Sequence, residues 1–287
     1  VIDLVIEPRR RDLGGFEVAR LLPHAAHRMV GPFIFLDRMG PARFPPGIPH
    51  STDVRPHPHI GLSTLTYLFE GEIMHRDSVG SEQAIRPGEV NWMTAGRGIT
   101  HSERFERARR EGGPMDGLQA WVALPREDEE TEPAFTHHAA AALPEARDGG
   151  VRRRVIAGEA WGARSPVRTH SPLFYVDCWM EAGARAGLPG NFSERAAYVI
   201  EGEIEAGGAA YASGQLVVFA KGGNAGITAR SPARVMLLGG EPVGERFIEW
   251  NFVSSSRERI EQAKADWRAG RMKLPDLDDR EFIPLPV

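Results

Sequence analysis

Two short pairs of residues carry most of the chemistry legible in this chain: His57-Pro58-His59 and His101-Ser102-Glu103. Each pair is spaced by two, so on extended backbone both side chains of a pair point to one side of their strand. Three imidazoles and one carboxylate gathered from two strands would make a mononuclear metal site. That ligand set suits a first-row transition ion such as iron and leaves coordination positions open for chemistry. Taken singly, each pair also reads blandly: His57 and His59 as an exposed turn between Pro56 and Pro58, and His101 to Glu103 as a loop after Gly96-Arg97-Gly98. The shared spacing, beside strong strand signals, favours the joint reading.

The other histidines are weaker candidates. His137-His138 lies beside an acidic stretch and is expected to be solvated, while His24, His27, His50 and His170 sit among turn residues. His75, in Met74-His75-Arg76-Asp77-Ser78, reads as a satisfied surface histidine in preference to one lining a pocket mouth. Competing chemistries lack their residues, since neither a Gly-Lys-Ser/Thr phosphate loop nor a Gly-x-Ser-x-Gly elbow occurs. Gly96-Arg97-Gly98 reads as a turn, because no helix signal follows it as a dinucleotide fingerprint would need.

The elements that must position these residues are strands. Phe33–Leu36, Leu62–Phe69, Val90–Thr94, Leu118–Ala123, Phe174–Met180, Ala197–Ile200, Leu216–Phe219 and Arg234–Leu238 are short, rich in β-branched and aromatic residues, and bounded by Gly or Pro. The pattern predicts an all-β sandwich or barrel. There is also an internal echo: Thr66-Tyr67-Leu68-Phe69-Glu70-Gly71-Glu72-Ile73 returns as Ala197-Tyr198-Val199-Ile200-Glu201-Gly202-Glu203-Ile204. Each echo is followed by a Gly-led strand, so two similar β-domains are implied. We place them at residues 1–132 and 133–287, with Arg126–Glu132 as a solvated acidic loop closing the first. The second copy lacks the chemistry, with Leu188 and Gly190 where the histidines would fall. At the C-terminus, Ser255 and Glu258 read as a capping box. Ile260, Ala263 and Trp267 then fall at helical spacing before Gly270, so a helix packed on a sheet through Trp267 is expected. The apolar tail Phe282–Pro286 is expected to dock back on the body.

The chain as a whole has 41% hydrophobic and 26% charged residues, the balance of a folded globular protein. A formal net charge of −4 gives no electrostatic case for direct nucleic-acid binding or for a membrane surface. One cysteine, Cys178, excludes an internal disulfide framework and reads as a small buried thiol. No signal peptide or membrane span is recognisable, so a cytoplasmic location is expected. The sequence starts at Val1 without Met, so residues missing or removed before it are expected.

Several long motifs then converge. Arg55-Pro56-His57-Pro58-His59-Ile60-Gly61, Tyr67-Leu68-Phe69-Glu70-Gly71, His75-Arg76-Asp77-Ser78 and Pro87-Gly88-Glu89-Val90-Asn91-Trp92-Met93-Thr94-Ala95-Gly96-Arg97-Gly98-Ile99-Thr100-His101-Ser102-Glu103 strongly resemble the pirin family of the cupin superfamily. Gly31–Asp37 and Gly117–Pro125 fit the same pattern, and Leu237–Pro242 matches it more loosely in the second half. The resemblance implies a bicupin: two jelly-roll domains face to face, with a C-terminal helix and metal in the first domain only. It implies one divalent metal, commonly iron(II), with nickel, cobalt, manganese or zinc as alternatives, on His57, His59, His101 and Glu103. The common cupin glutamate position, five residues after the second histidine, is Thr64 here.

Some pirin-like proteins are quercetin 2,3-dioxygenases, which open a flavonol with O2 and release carbon monoxide. The resemblance therefore implies a flavonol and O2 as substrates and Glu103 as catalytic base. Phe33, Phe35, Trp92 and Met93 are candidate apolar walls. The alternative it carries is a redox-sensing regulator that binds a protein partner without turnover. A third reading is another small-molecule metal enzyme with flavonol cleavage as a side activity.

Overall fold

The computed structural model describes residues 1–12 and 16–286. Each strand expected from the sequence forms. Val90–Thr94 and Leu216–Phe219 keep their bounds, while others run longer, as Phe33–Phe44, Leu62–Glu70, Gly113–Ala123, Leu173–Met180, Glu194–Glu201 and Ala233–Gly240. The all-β reading holds, with Arg257–Arg268 as the expected C-terminal helix and Glu106–Glu111 as a short one the sequence did not announce. No described helix is long and apolar enough to cross a membrane.

The chain forms two compact units. One comprises residues 10–20, 35–140 and 244–287, and contains all three candidate histidine ligands; the other comprises residues 1–9, 21–34 and 141–243. A single cut at 132/133 divides the chain differently, for two local reasons. Ile2–Ile6 pairs antiparallel with Leu216–Phe219 and covers that sheet's edge. The C-terminal helix buries Ile260, Ala263 and Trp267 against Ile60 and Phe252 of the histidine unit.

The echo seen in the sequence is an echo of topology. In the histidine unit, Ala134–His138, Val90–Thr94, Leu62–Glu70 and Gly113–Ala123 are successive neighbours in the larger sheet. Its smaller sheet runs Val54–His59, Ile99–Arg104, Ile73–Asp77, Glu82–Ile85. The second unit repeats both orders. Ile2–Ile6, Leu216–Phe219, Glu194–Glu201 and Ala233–Gly240 form the larger series, and Arg185–Gly187, Gly226–Ala229, Glu203–Ala206 and Ala209–Ala212 the smaller. In each unit apolar side chains from both sheets share a core, with Leu68 and Met115 packed with Ile73 and Ile85 in the histidine unit. Cys178 is buried in the core of the second unit, where loss of hydration pushes its thiol up to about 12.

Two local expectations are corrected and a third holds. The helix cap is Ser256, whose hydroxyl accepts from the Arg259 N–H, and not Ser255. Ser255 is instead taken by Glu129, which accepts from its N–H and hydroxyl. The Arg126–Glu132 stretch is not wholly solvated either: Glu129 is buried and pairs with buried Arg246 at 2.8 Å. The tail docks as expected, with the Ile283 N–H donating to Pro56 O and Trp267 Nε1 donating to Ile283 O.

Candidate metal centre

Val54–His59 and Ile99–Arg104 pair antiparallel, which sets His57 directly opposite His101. His59 follows on the same face of its strand. Gly61 lets the chain leave the strand at once: its φ is +68°, and a Cβ there would meet Val253 O at 1.9 Å. The three imidazoles are buried, and their ligand nitrogens lie within 4.8 Å of one another.

The hydrogen bonds assign which nitrogen of each ring is free. His57 Nδ1 donates to Arg55 O at 2.9 Å and His59 Nδ1 donates to Asn251 O at 3.1 Å. A neutral ring that donates through Nδ1 keeps its lone pair on Nε2. His101 Nδ1 lies 3.4 Å from His75 Nδ1, and His75 Nε2 lies 2.8 Å from an Asp77 carboxylate oxygen. The Asp77 carboxylate can only accept, so a neutral His75 donates to it and accepts from His101, which leaves His101 Nε2 free. His59 Nε2 and His101 Nε2 are then 3.1 Å apart, with two lone pairs aimed into one gap. A cation bound by both would relieve their repulsion. The neutral, divergently held imidazoles thus match the donor set a divalent transition ion takes. Burial, with mutual repulsion among the rings, keeps them neutral: His57 is lowered to about 4, and His59 and His101 well below the usual histidine range.

Glu103 stands apart from that cluster. A bulge between His101 and Glu103 shifts the register, so that Glu103 faces Val54 on one side and His75 on the other. It is buried, but its carboxylate is not among the converging ligand atoms. Burial pushes it up to about 7 against an opposing hydrogen bond donated by Gln119.

The larger sheet presents two rows to this site. One is Trp121, Thr64, Met93 and Phe135, which lie side by side on adjacent strands. Trp121 meets His59 edge-on at 5.0 Å, and Phe135 stacks on His75 at 4.3 Å. The next row is polar: Gln119, Thr66, Asn91 and His137. His137 is therefore not simply solvated, since its Nδ1 lies 2.8 Å from Asn91 Oδ1.

Of the expected walls, Met93 lies in the first row and Phe35 stacks on Trp121 at 4.1 Å. Trp92 points to the opposite face, where its Nε1 donates to Thr94. Phe33 belongs to the other unit, stacked on Tyr175. His75 is the clearest miss, being buried beside His101 and no surface residue. Its signal was present all the same: His75 and Asp77 show the same spacing of two as the other pairs.

The second unit serves as an internal control. Carrying the repeat through the strand pairings matches His57 to Leu188, His75 to Ala206, His101 to Ala225, Glu103 to Ile227 and Gln119 to Leu237. All five substitutes lie in the apolar core of that unit. Where one copy gathers polar donors, the other is filled with hydrocarbon.

Two family models match the chain: Pirin over residues 15–122, and the Pirin C-terminal cupin domain over residues 175–273. The chain belongs to the pirin family. A pirin-like protein of Caulobacter vibrioides is 66% identical over 287 residues, covering 100% of both chains. A Pseudomonas aeruginosa protein that carries quercetin 2,3-dioxygenase as a provisional name is 41% identical over 272 residues, 93% of this pirin and 84% of that protein. Among solved structures, a quercetin 2,3-dioxygenase from Acinetobacter baumannii matches with a TM-score of 0.89 at 34% identity, covering 99% of this chain and 95% of that one. The pirin fold is thus a bicupin with a C-terminal helix.

Proposed function

We propose that this pirin is a mononuclear metalloenzyme that cleaves flavonols of the quercetin type with O2. His57, His59, His101 and Glu103 would hold one divalent transition ion, iron(II) in our reading, with Glu103 joining by a side-chain rotation. The observation that carries the proposal is the convergence of three neutral, buried imidazole nitrogens in one copy of a repeat whose other copy is apolar. The relatives named above supply the reaction class.

When bound, such an ion supplies Lewis acidity and a template for the vicinal hydroxyl and carbonyl of a flavonol and for O2. The protein's own groups suit the remaining tasks. The Glu103 carboxylate can take the flavonol 3-hydroxyl proton, and the hydrogen bond from Gln119 steadies it. Trp121, backed by Phe35, and Met93 offer an apolar surface for a flat aromatic ligand.

The test is loss of quercetin's visible absorbance in air by protein reconstituted anaerobically with iron(II). Saturable, metal-dependent loss supports the proposal. Stoichiometric iron with no loss would overturn the dioxygenase reading.

A further inference from the structure

The three imidazoles of the centre are not oriented in the same way. His57 and His59 each donate Nδ1–H to a main-chain carbonyl, which no substitution of a side chain removes. His101 instead leans on a chain of side chains, His75 and then Asp77. On this basis, and given the metal site proposed above, we propose that His75 and Asp77 are positioning residues that fix His101 as its Nδ1–H tautomer and so present Nε2 to the metal.

Each link of that chain has its polarity imposed from outside. Asp77 is anchored through its other oxygen, which accepts the N–H groups of Val79 at 3.0 Å and Ser81 at 2.9 Å. The remaining oxygen therefore faces His75 as an acceptor only. The His75 ring is clamped by Phe135, stacked at 4.3 Å and 15° between planes. A neutral His75 that donates Nε2–H to Asp77 has a lone pair to offer His101, which then answers with Nδ1–H. A carboxylate at the far end also makes the ligand imidazole a stronger donor. In the second unit the relay and the ligand are missing together: His75, Asp77 and His101 correspond to Ala206, Gly208 and Ala225.

The relay makes an unusual prediction for Asp77→Asn. The amide can keep its oxygen toward Val79 and Ser81, but it then turns an N–H toward His75. His75 would have to accept through Nε2 and donate through Nδ1, forcing the His101 proton onto Nε2, where it blocks the metal. His75→Phe removes the link while keeping the stack on Phe135. His75→Gln restores the original polarity, with a carbonyl for His101 and an N–H for Asp77.

The probe is cobalt(II), titrated into the metal-free full-length protein, with the visible ligand-field spectrum and the affinity as readouts and melting temperature as a folding control. Asp77→Asn and His75→Phe are expected to bind cobalt about 10- to 100-fold more weakly with an altered spectrum, and His75→Gln to recover most of the loss. Wild-type affinity and spectrum in Asp77→Asn and His75→Phe, with binding abolished in His101→Ala, would overturn the relay and leave the metal site standing. His75→Gln no better than His75→Phe would also overturn it, because packing alone would then matter. Cobalt binding that ignores His101→Ala would remove the metal site and the relay together.

Discussion

His59 Nε2 lies 3.1 Å from His101 Nε2, and the other nitrogen of each ring is already committed as a donor. Two buried lone pairs this close repel unless something positive lies between them. The gap is therefore a feature of the folded strand pair and needs no ligand to create it. Replacing His57, His59 or His101 singly by Ala should lower divalent metal retention from stoichiometric to trace after dialysis, measured by elemental analysis. A variant of any one that keeps a full equivalent of metal would remove that residue from the site.

Glu103 should make the metal-free protein sensitive to alkali. Its carboxyl is raised from 4.5 to about 7 by burial, so the folded state holds the proton more tightly than the unfolded state. The stability this confers is fully present below about pH 4.5 and is lost as pH rises through 7. Glu103→Gln cannot ionise and escapes the loss. Its stability relative to wild type, followed by urea unfolding of metal-free protein, should improve by about 3 kcal/mol between pH 4 and pH 8. A difference that stays flat across that range would mean that Glu103 is not buried as a titrating acid.

Gln119 acts on the same proton. Its hydrogen bond favours the charged carboxylate, opposing burial. Gln119→Leu imports the residue of the second unit at this position, Leu237, and should leave the fold intact. Without the bond, the Glu103 carboxyl of the metal-free protein should move up further. The alkaline loss of stability should therefore extend to higher pH than in wild type, measured by urea unfolding of metal-free protein across the same pH series. A loss that follows the wild-type profile would mean that Gln119 does not hold the Glu103 carboxylate.

Strands, the repeat and the candidate histidines were legible because each leaves a short-range mark: β-branched runs, a recurring eight-residue motif, and ligands two residues apart. The groups that orient the imidazoles leave a fainter mark. Asn251 O orients His59 from 192 residues away, and a main-chain carbonyl has no side-chain signature to find. Trp92 and Met93 both read as wall in the sequence, yet neighbours on a strand face opposite ways, and only the pairing register says which faces the site. His75 reads as a surface histidine in the sequence because spacing alone does not tell a residue that orients a ligand from one left in solvent. Ser255 and Ser256 are both good caps in principle. Glu129, distant in sequence, decides between them by occupying Ser255.

That same Glu129 gives a stability prediction that separates burial from composition. It sits in an acidic run whose members look interchangeable in the sequence, but it alone among Glu127, Glu129 and Glu130 is buried. Arg246 lies against it at 2.8 Å with 3% of its side chain exposed, and the Ser254 and Ser255 hydroxyls also donate to it. Removing the charge leaves a guanidinium buried beside a neutral amide. Breaking a buried pair from one side costs about 3 kcal/mol or more, because the surviving charge keeps its desolvation penalty. The exposed neighbour should behave as a surface residue, with changes within about 0.5 kcal/mol. Glu129→Gln should therefore lower the urea midpoint sharply, while Glu127→Gln leaves it in place. The Glu129→Gln loss should also persist at 0.5 M salt, since screening acts on exposed charges and hardly on a pair shielded from solvent. Equal midpoints for the two variants would mean that Glu129 is solvated in solution, as its sequence context alone suggests.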